Sequence, residues 1–223
     1  MKPTHIAIIP DGNRRWAAKR GLSPVQGHSV GIDNIQNVLR WCRKSHVRTL
    51  TMWGFSTENF LRDRSEVSGL IELFKKKLSE GLQNDYRKYK VRVRFLGRIS
   101  SFPRDVQEKM KQVERQTAHF SDYNLNLLLA YGGRQEIIDA INSAIASGKK
   151  KLDEKSFSSF LYLPDSPDLI IRTSGEVRTS GFLPWQSAYS EFYFSKKLWP
   201  DFHEKDFKSA LVDYAKRKRK YGK

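Results

Sequence analysis

Short apolar runs alternate along the chain with longer stretches whose apolar residues recur at helical spacing. Strand and helix in strict alternation can bury both their apolar faces in one way: a parallel sheet with helices packed on its surfaces. Six runs read as strands: His5–Pro10, Thr49–Phe55, Val91–Leu96, Asn124–Tyr131, Leu169–Ile171 and Phe192–Phe194. Arg92 and Arg94 alternate with apolar residues in the third, so one of its faces is wet or it lies at an edge. The apolar density of the fourth places it centrally. With 223 residues and no repeat or linker, the expectation is one α/β domain over residues 1–223, with a mostly parallel six-stranded sheet flanked by helices.

Between the strands, Asn13 reads as the cap of a short helix beginning at Arg14 and ended by Gly21. Gly27-His28 reads as the opening of a second helix with Ile32, Ile35, Val38, Leu39 and Cys42 on one face. A long helix from about Ser65 to Tyr89 carries Val67, Leu70, Ile71, Phe74, Leu78 and Leu82 in one stripe. That stripe can pack a core or line an apolar tunnel, and its spacing fits both. Pro103 opens a helix with Val106, Met110 and Val113 inward, and Gly132-Gly133-Arg134 starts one containing Ile137, Ile138, Ile141 and Ile145. A short helix near Glu154–Leu161 and a last one over Glu204–Tyr221 complete the reading.

Ligands of such sheets bind beyond the carboxyl ends of the strands. Four of those ends carry polar sets: Asp11/Asn13/Arg15, Ser56/Glu58/Asn59/Arg62, Gly133/Arg134, and Arg172/Arg178/Ser180. Guanidinium forks, hydroxyls and glycine-exposed amides are donors for a diphosphate, and carboxylates beside them can share a divalent metal with its oxygens. Taken singly, Asp11 could be a turn residue, His28 a helix-start residue, and Arg172 and Arg178 solvated side chains on a surface turn. Neither the phosphate loop of NTPases nor the Gly-x-Gly-x-x-Gly dinucleotide pattern is present, and there is no Asp-Asp-x-x-Asp cluster.

The formal charge of +17 implies an anionic partner. Basic residues spread over many helices, apart from the run Lys216–Lys220, and no recognition motif accompanies them, which argues against nucleic acid. Phosphorylated substrates and a membrane surface account for the charge better. The one cysteine, Cys42, excludes an internal disulfide and a Cys-based zinc site and reads as a buried thiol. Nothing resembles a signal peptide or a membrane span, so the expected location is cytoplasmic, with peripheral membrane contact as an option.

Asp11-Gly12-Asn13-Arg14-Arg15-Trp16, Gly27-His28, Phe55 to Phe60 with Arg62, Tyr131-Gly132-Gly133-Arg134, Arg172 to Ser180, Trp185 to Glu191, and Leu198-Trp199-Pro200-Asp201-Phe202 resemble, in order and across essentially the whole chain, the cis-prenyltransferases of the undecaprenyl diphosphate synthase family. The resemblance implies a homodimeric, Mg²⁺-assisted enzyme that condenses isopentenyl diphosphate with an allylic prenyl diphosphate to a (poly)prenyl diphosphate, such as a glycosyl carrier lipid precursor. It implies a sheet-and-helix fold with an apolar tunnel walled by Leu70, Phe74 and Leu78. Asp11 and Asn59 become catalytic positions, and Asp11 and Glu191 metal-associated carboxylates. Gly12, Asn13, Arg14, Arg15, Trp16 and His28 fall by the allylic diphosphate. Ser56, Thr57, Glu58, Phe60 and Arg62 belong to a mobile substrate loop, and Arg172, Arg178 and Ser180 to the isopentenyl diphosphate.

The chain also departs from the family pattern. Pro24 stands where many relatives have an arginine, with Arg20 as the candidate substitute. Gly181 and Pro184 replace an asparagine and an aliphatic residue, and Lys220-Tyr221-Gly222 carries lysine in an Arg-x-Gly position near the dimer interface. Gly54 leaves room beside its strand end. Product length, primer, head-to-tail against irregular condensation, and the need for a partner subunit stay open at this level. Retention of Asp11, Arg172, Arg178 and Glu191 favours an enzyme over an accessory subunit.

Overall fold

The computed structural model describes residues 2–80, 86 and 89–217. Its strands are β1 (His5–Ile9), β2 (Thr49–Trp53), β3 (Val91–Leu96), β4 (Tyr123–Leu128), β5 (Leu169–Arg172) and β6 (Glu191–Phe194). They form one sheet in the order β3-β4-β2-β1-β5-β6, parallel at every pairing. β3 is an edge strand, one of the two readings its arginine alternation left open. β4 lies next to that edge rather than at the centre, which β2 and β1 occupy. Two apolar runs outlast their strands. The amides of Gly54 and Phe55 both donate to the Leu128 carbonyl, at 2.9 and 3.2 Å, and Ala130 has φ 47°, so the regular ladder ends at Trp53 and Leu128. The two segments remain tied, with Tyr131 N–H donating to Phe55 O at 3.1 Å and Thr57 N–H to Tyr131 O at 3.2 Å.

The helices are α1 (Asn13–Ala18), α2 (Pro24–Lys44), α3 (Arg64–Glu80), α4 (Arg104–Thr117), α5 (Gly133–Ala146), α6 (Glu154–Ser158) and α7 (Glu204–Lys216). α1 is capped by Gly12, and Asn13 is its first residue, its amide donating back to Pro10 O at 3.1 Å. α2 begins at Pro24, before Gly27, because Ser23 and Gln26 form a reciprocal capping box with proline at the first helical position. Gly27 and Gly31 serve packing instead. A Cβ there would lie 2.5 Å from Asn13 O and 2.2 Å from Asn13 Oδ1, so both let α1 press against α2. α3 is described to Glu80. Leu82 lies outside the described residues, and Tyr89 stands in a turn. α6 is shorter than the 154–161 expectation. α7 stops at Lys216, where Arg217 turns extended; the described chain ends there, leaving Lys218–Lys220 and Tyr221-Gly222 outside it.

The main core fills the space between one face of the sheet and α2, α3, α4 and α7. Ala7, Ile9, Leu128 and Ile170 face the other way, onto Tyr131, Leu163, Phe182 and Leu183. Of the α5 isoleucines only Ile137 packs inward; Ile138, Ile141 and Ile145 are exposed. Cys42 is buried, and burial pushes its thiol pKa up, as an inert structural thiol requires.

A polar ladder crosses the buried sheet. Arg94 donates to Asn126 at 2.9 Å, Asn126 donates to Thr51 at 3.0 Å, and Thr51 shares a 2.8 Å hydrogen bond with the His5 ring. Burial lowers the His5 pKa from 6.5 to about 4, outweighing the charge of Asp165. Above pH 7 the ring is neutral folded and unfolded, and contributes no pH dependence. As pH falls from 6.5 toward 4, the unfolded chain binds a proton that the folded chain refuses. His5 should therefore cost the fold about 2 kcal/mol between pH 7 and pH 5. Denaturant midpoints measured at both pH values should converge partly in His5→Gln; an unchanged difference would contradict this source of acid sensitivity.

Candidate active site

A cleft of ≈ 720 Å³ opens at the carboxyl ends of β1, β2 and β5, with Asp11, Arg15, His28, Asn59, Arg62 and Arg172 among its walls. Asp11 follows β1 in a turn whose carbonyl accepts from Trp199 N–H at 3.0 Å and Thr173 Oγ1 at 2.7 Å. Gly12 makes the turn with φ 110°, and a Cβ there would come within 2.9 Å of Leu198, so glycine meets both demands. Arg172 ends β5 and is 5% exposed. Its Nη2 donates to Asp11 Oδ2 at 2.9 Å, and its Nη1 to Ser180 Oγ at 2.8 Å and Arg178 O at 2.5 Å. Burial works against the charge on Asp11. The hydrogen bond and charge of Arg172, with help from Arg15, outweigh it and hold the carboxyl below its usual range.

The loop after β5 holds Ser174, Ser180 and Leu183 at φ 82°, 52° and 49°. Left-handed backbone costs a residue with a Cβ about 1–2 kcal/mol, so the surroundings must hold each one. Ser174 N–H donates to Lys197 O at 2.6 Å and Gly175 N–H to Ser195 O at 2.8 Å, which fastens the loop to the segment after β6. Glu176, absent from the expected site, sits between two arginines: Oε1 is 3.2 Å from Arg15 and Oε2 is 2.5 Å from Arg178. Glu66, also missed, pairs with Arg62 at 3.0 Å and Arg14 at 3.7 Å. The i,i+4 spacing of Arg62 and Glu66 was the available signal for the second. The Arg15–Glu176 contact spans distant parts of the chain and had none.

The remaining expected residues divide. His28 lies in the cleft wall with its Nε2 buried and unpartnered, like Arg172 Nε. Such atoms gathered at one cleft fit a ligand that would satisfy them. Burial first, then the charge of Arg62, lowers the His28 pKa to about 4, so its ring is neutral at pH 7. Ser56, Asn59, Gly12 and Arg14 line the cleft. Asn59 Oδ1 also accepts from Ser56 N–H at 3.0 Å, fixing the single 3₁₀ turn Thr57–Leu61. Glu58 is exposed, and Phe60 packs edge-on against Phe55.

Trp16 donates to Asp201 at 2.7 Å, and Arg20 stacks over the Trp16 ring at 4.2 Å while reaching the same carboxylate. Arg20 therefore does not substitute at the place beside Pro24, which itself lines the cleft. The third polar set, Gly133/Arg134, does not join the cleft: Arg134 is exposed, and Gly133 N–H donates to Gly181 O at 3.0 Å.

Glu191 is the clearest correction. It begins β6 opposite Leu169, which pairs with Ile6. Asp11 lies beyond the other end of β1, roughly 16 Å away along the strands at about 3.3 Å per residue. The two carboxylates of one chain therefore do not share an ion, and Glu191 instead binds Arg217 at 2.7 Å. Among the described residues no group of three His, Cys, Asp or Glu side chains could hold a metal.

Deeper in, the cleft meets an apolar cavity of ≈ 80 Å³ between α2, α3, β2 and β4. His28, Gly54, Phe55 and Asn59 line both spaces. Leu70, Ile71 and Phe74 of the α3 stripe face this cavity, whereas Leu78 belongs to the core at 0% exposure. One stripe thus serves both purposes. Gly54 stands at the junction, where a Cβ would come within 2.8 Å of Leu129.

The model of the undecaprenyl diphosphate synthase family matches residues 9–222. The chain belongs to this family. It is 47% identical to an isoprenyl transferase of Thermotoga maritima, over 99% of this chain and 97% of that protein. It is 44% identical to a tritrans,polycis-undecaprenyl-diphosphate synthase (geranylgeranyl-diphosphate specific) of Thermococcus kodakarensis, over 99% and 87%. The crystal structure of lavandulyl diphosphate synthase from Lavandula x intermedia in complex with dimethylallyl diphosphate superposes with a TM-score of 0.93 at 33% identity, covering 100% of this chain and 99% of that one.

For this prenyltransferase, the pairing of its cleft arginines has a measurable consequence. Glu176 ties up Arg15 and Arg178 in ion pairs with which an arriving anion would compete. These pairs are part-exposed and modest, so Glu176→Gln should tighten binding of inorganic diphosphate by about fivefold, the equivalent of roughly 1 kcal/mol. Isothermal titration would read this directly, and equal or weaker binding would contradict the competition.

Proposed function

We propose that this enzyme condenses isopentenyl diphosphate with an allylic prenyl diphosphate and elongates the product as a cis-prenyl chain, with Mg²⁺ assisting. The observation that carries the proposal is the junction between an arginine-lined cleft and a deeper apolar cavity, through walls that both share. One product end is a diphosphate and the other a hydrocarbon, and the two spaces match those ends.

The allylic diphosphate is assigned to the mouth of the cavity, by Asn13, Arg15 and His28. His28 brings an unpartnered buried polar atom there. The isopentenyl diphosphate is assigned to Arg172, Arg178 and Ser180. Departure of the allylic diphosphate builds negative charge on its oxygens, which the guanidinium groups stabilise. The allylic cation left behind sits toward Phe55 and Leu70, where water is excluded and cannot capture it. Neutral His28 can accept or donate a hydrogen bond without repelling that cation.

Asp11 suits Mg²⁺: its carboxyl is held below the usual range, and Mg²⁺ ordinarily takes one or two carboxylates with substrate phosphate oxygens and waters. The ion would supply further charge neutralisation on the leaving diphosphate. Because Asp11 is already engaged by Arg172, arrival of a diphosphate that draws Arg172 away would free it. The same reading expects a homodimer, for which the exposed Ile138, Ile141 and Ile145 offer an apolar face. No described helix is long and apolar enough to cross a membrane, and peripheral contact through the basic surface remains the proposal for how a lipid product leaves.

Asp11→Ala should retain the circular dichroism of the parent and lose turnover by roughly 100-fold or more, as removal of a key electrostatic group does. Near-normal incorporation of labelled isopentenyl diphosphate would refute the assignment. The cavity is smaller than the roughly 150 Å³ that admits a benzene ring, so long products require its aromatic walls to move. Phe74 packs edge-on against Phe95 at 6.1 Å and lies 6.4 Å from Phe102. Phe74→Ala should lengthen the product, resolved by chromatography after incubation with C5 to C20 primers; an unchanged product would place the limit elsewhere.

A further inference from the structure

Glu136, in the first turns of α5, is 1% exposed and has no cationic partner among the described residues. Its carboxylate accepts from Tyr131 Oη at 2.5 Å, from Leu163 N–H at 3.1 Å, and with both oxygens from Gln186 Nε2 at 3.1 Å. Gln186 Nε2 also donates to Leu163 O at 2.8 Å. Nothing in the proposed chemistry uses this group. It lies behind the strand ends, on the face of the sheet opposite the apolar cavity.

What it touches is the support of a strained turn. Ser180, Gly181 and Leu183 all have positive φ, at 52°, 84° and 49°. Two of the three carry a Cβ, and such a run persists only when its surroundings fix it. Three contacts do so. Gly133 N–H donates to Gly181 O, and a Cβ on Gly133 would strike Pro184 at 2.1 Å. The Phe182 ring is stacked on Trp53 at 5.2 Å and meets Tyr131 edge-on at 6.4 Å. Gln186, five residues beyond the turn's glycine, is held by Glu136. The carboxylate therefore secures both the Tyr131 wall of the turn and its downstream strand of chain. Ser180, at the head of the turn, presents its hydroxyl to Arg172, which meets Asp11.

We propose that Glu136 is a positioning residue for the isopentenyl diphosphate subsite: a buried carboxylate clamp that keeps the strained Ser180–Leu183 turn, and with it Ser180 and Arg172, in binding geometry. The inference rests on the assignment of that subsite to Arg172, Arg178 and Ser180. Glu136→Gln replaces one acceptor oxygen by an amide that confronts the donors of Gln186 or Leu163, at nearly unchanged volume. The allylic subsite is built on α1 and α2 and does not depend on this clamp.

The test is steady-state kinetics on the full chain with each substrate varied in turn, alongside thermal melting. In Glu136→Gln the KM for isopentenyl diphosphate should rise about tenfold or more while the KM for the allylic primer stays within about twofold. Tyr131→Phe removes a single donor and should shift the same KM in the same direction by less; it decides the matter if Glu136→Gln does not fold. Asp139→Asn, which loses the Arg98 and Tyr162 contacts of the same helix, should lower the melting temperature and leave the isopentenyl KM in place. Equal rises in both KM values, a loss confined to kcat, or an unchanged isopentenyl KM in a folded variant would each overturn the clamp. No turnover by the parent protein with any primer would instead overturn the enzymatic reading beneath it.

Discussion

The Asp11–Arg172 ion pair links the sheet to the chemistry. β1 and β5 are paired so that Ile9 lies opposite Arg172, and the two charged side chains meet just past the last rung. Because side chains alternate across a strand, a slip of one residue would turn Arg172 to the far face and leave Asp11 alone. The apolar residues that set the register, Ile6, Ile8, Leu169 and Ile171 on the core side, therefore also set the distance between the two charges. Arg172 is nearly buried and Asp11 partly exposed, so the pair is shielded from water on the side of the protein and open toward the cleft. Everything else at the site is arranged around that opening: Ser180 and the Arg178 carbonyl orient the guanidinium, and Gly12 lets the Asp11 turn pass beneath Leu198.

Much of this was written locally. Val91–Leu96 forms the strand its alternation describes, and Arg92 with Arg94 marks the sheet edge. The polar residues after Ile9, Trp53 and Arg172 gather as the strand-end rule requires, because parallel strands bring their carboxyl ends to one side. Glu191 precedes its apolar run, and that order already placed it at the opposite end of the sheet; the family resemblance drew it toward the metal. The start of α2 was misread because Gly27 looks like a helix opener, whereas its reason is the backbone of Asn13 pressed against it. Such a contact has no signature within a window of sequence. Arg15–Glu176 and Glu136–Gln186 were hidden for the same cause: their partners are far apart along the chain, and only the fold makes them neighbours.

The α3 stripe shows why periodicity left two accounts open. A tunnel wall and a core wall ask the same thing of a helix, an apolar face, and differ only in whether a neighbour fills the space. Leu78 is met by other side chains and Leu70, Ile71 and Phe74 are met by a gap. The gap begins where Gly54 and Asn59 leave the cleft, so the transition from charged to apolar surroundings occurs within a few residues of His28. Keeping that histidine neutral is part of the same design, since a charged ring would have to be desolvated at the boundary.

The polar ladder from Arg94 through Asn126 and Thr51 to His5 runs across four adjacent strands, β3, β4, β2 and β1. Valine, leucine and isoleucine are nearly interchangeable contacts, and strands that bury only them can shift by two residues and still bury their faces. A chain of donors and acceptors has one alignment in which each atom is satisfied. Every misaligned collapse of these strands would strand a histidine, a threonine or an asparagine in hydrocarbon, at a few kcal/mol for each group. The ladder thus works as a proofreader of assembly: it adds little to the finished sheet beyond what apolar burial provides, and it removes the near-native competitors from which a sheet of four short parallel strands would otherwise have to escape.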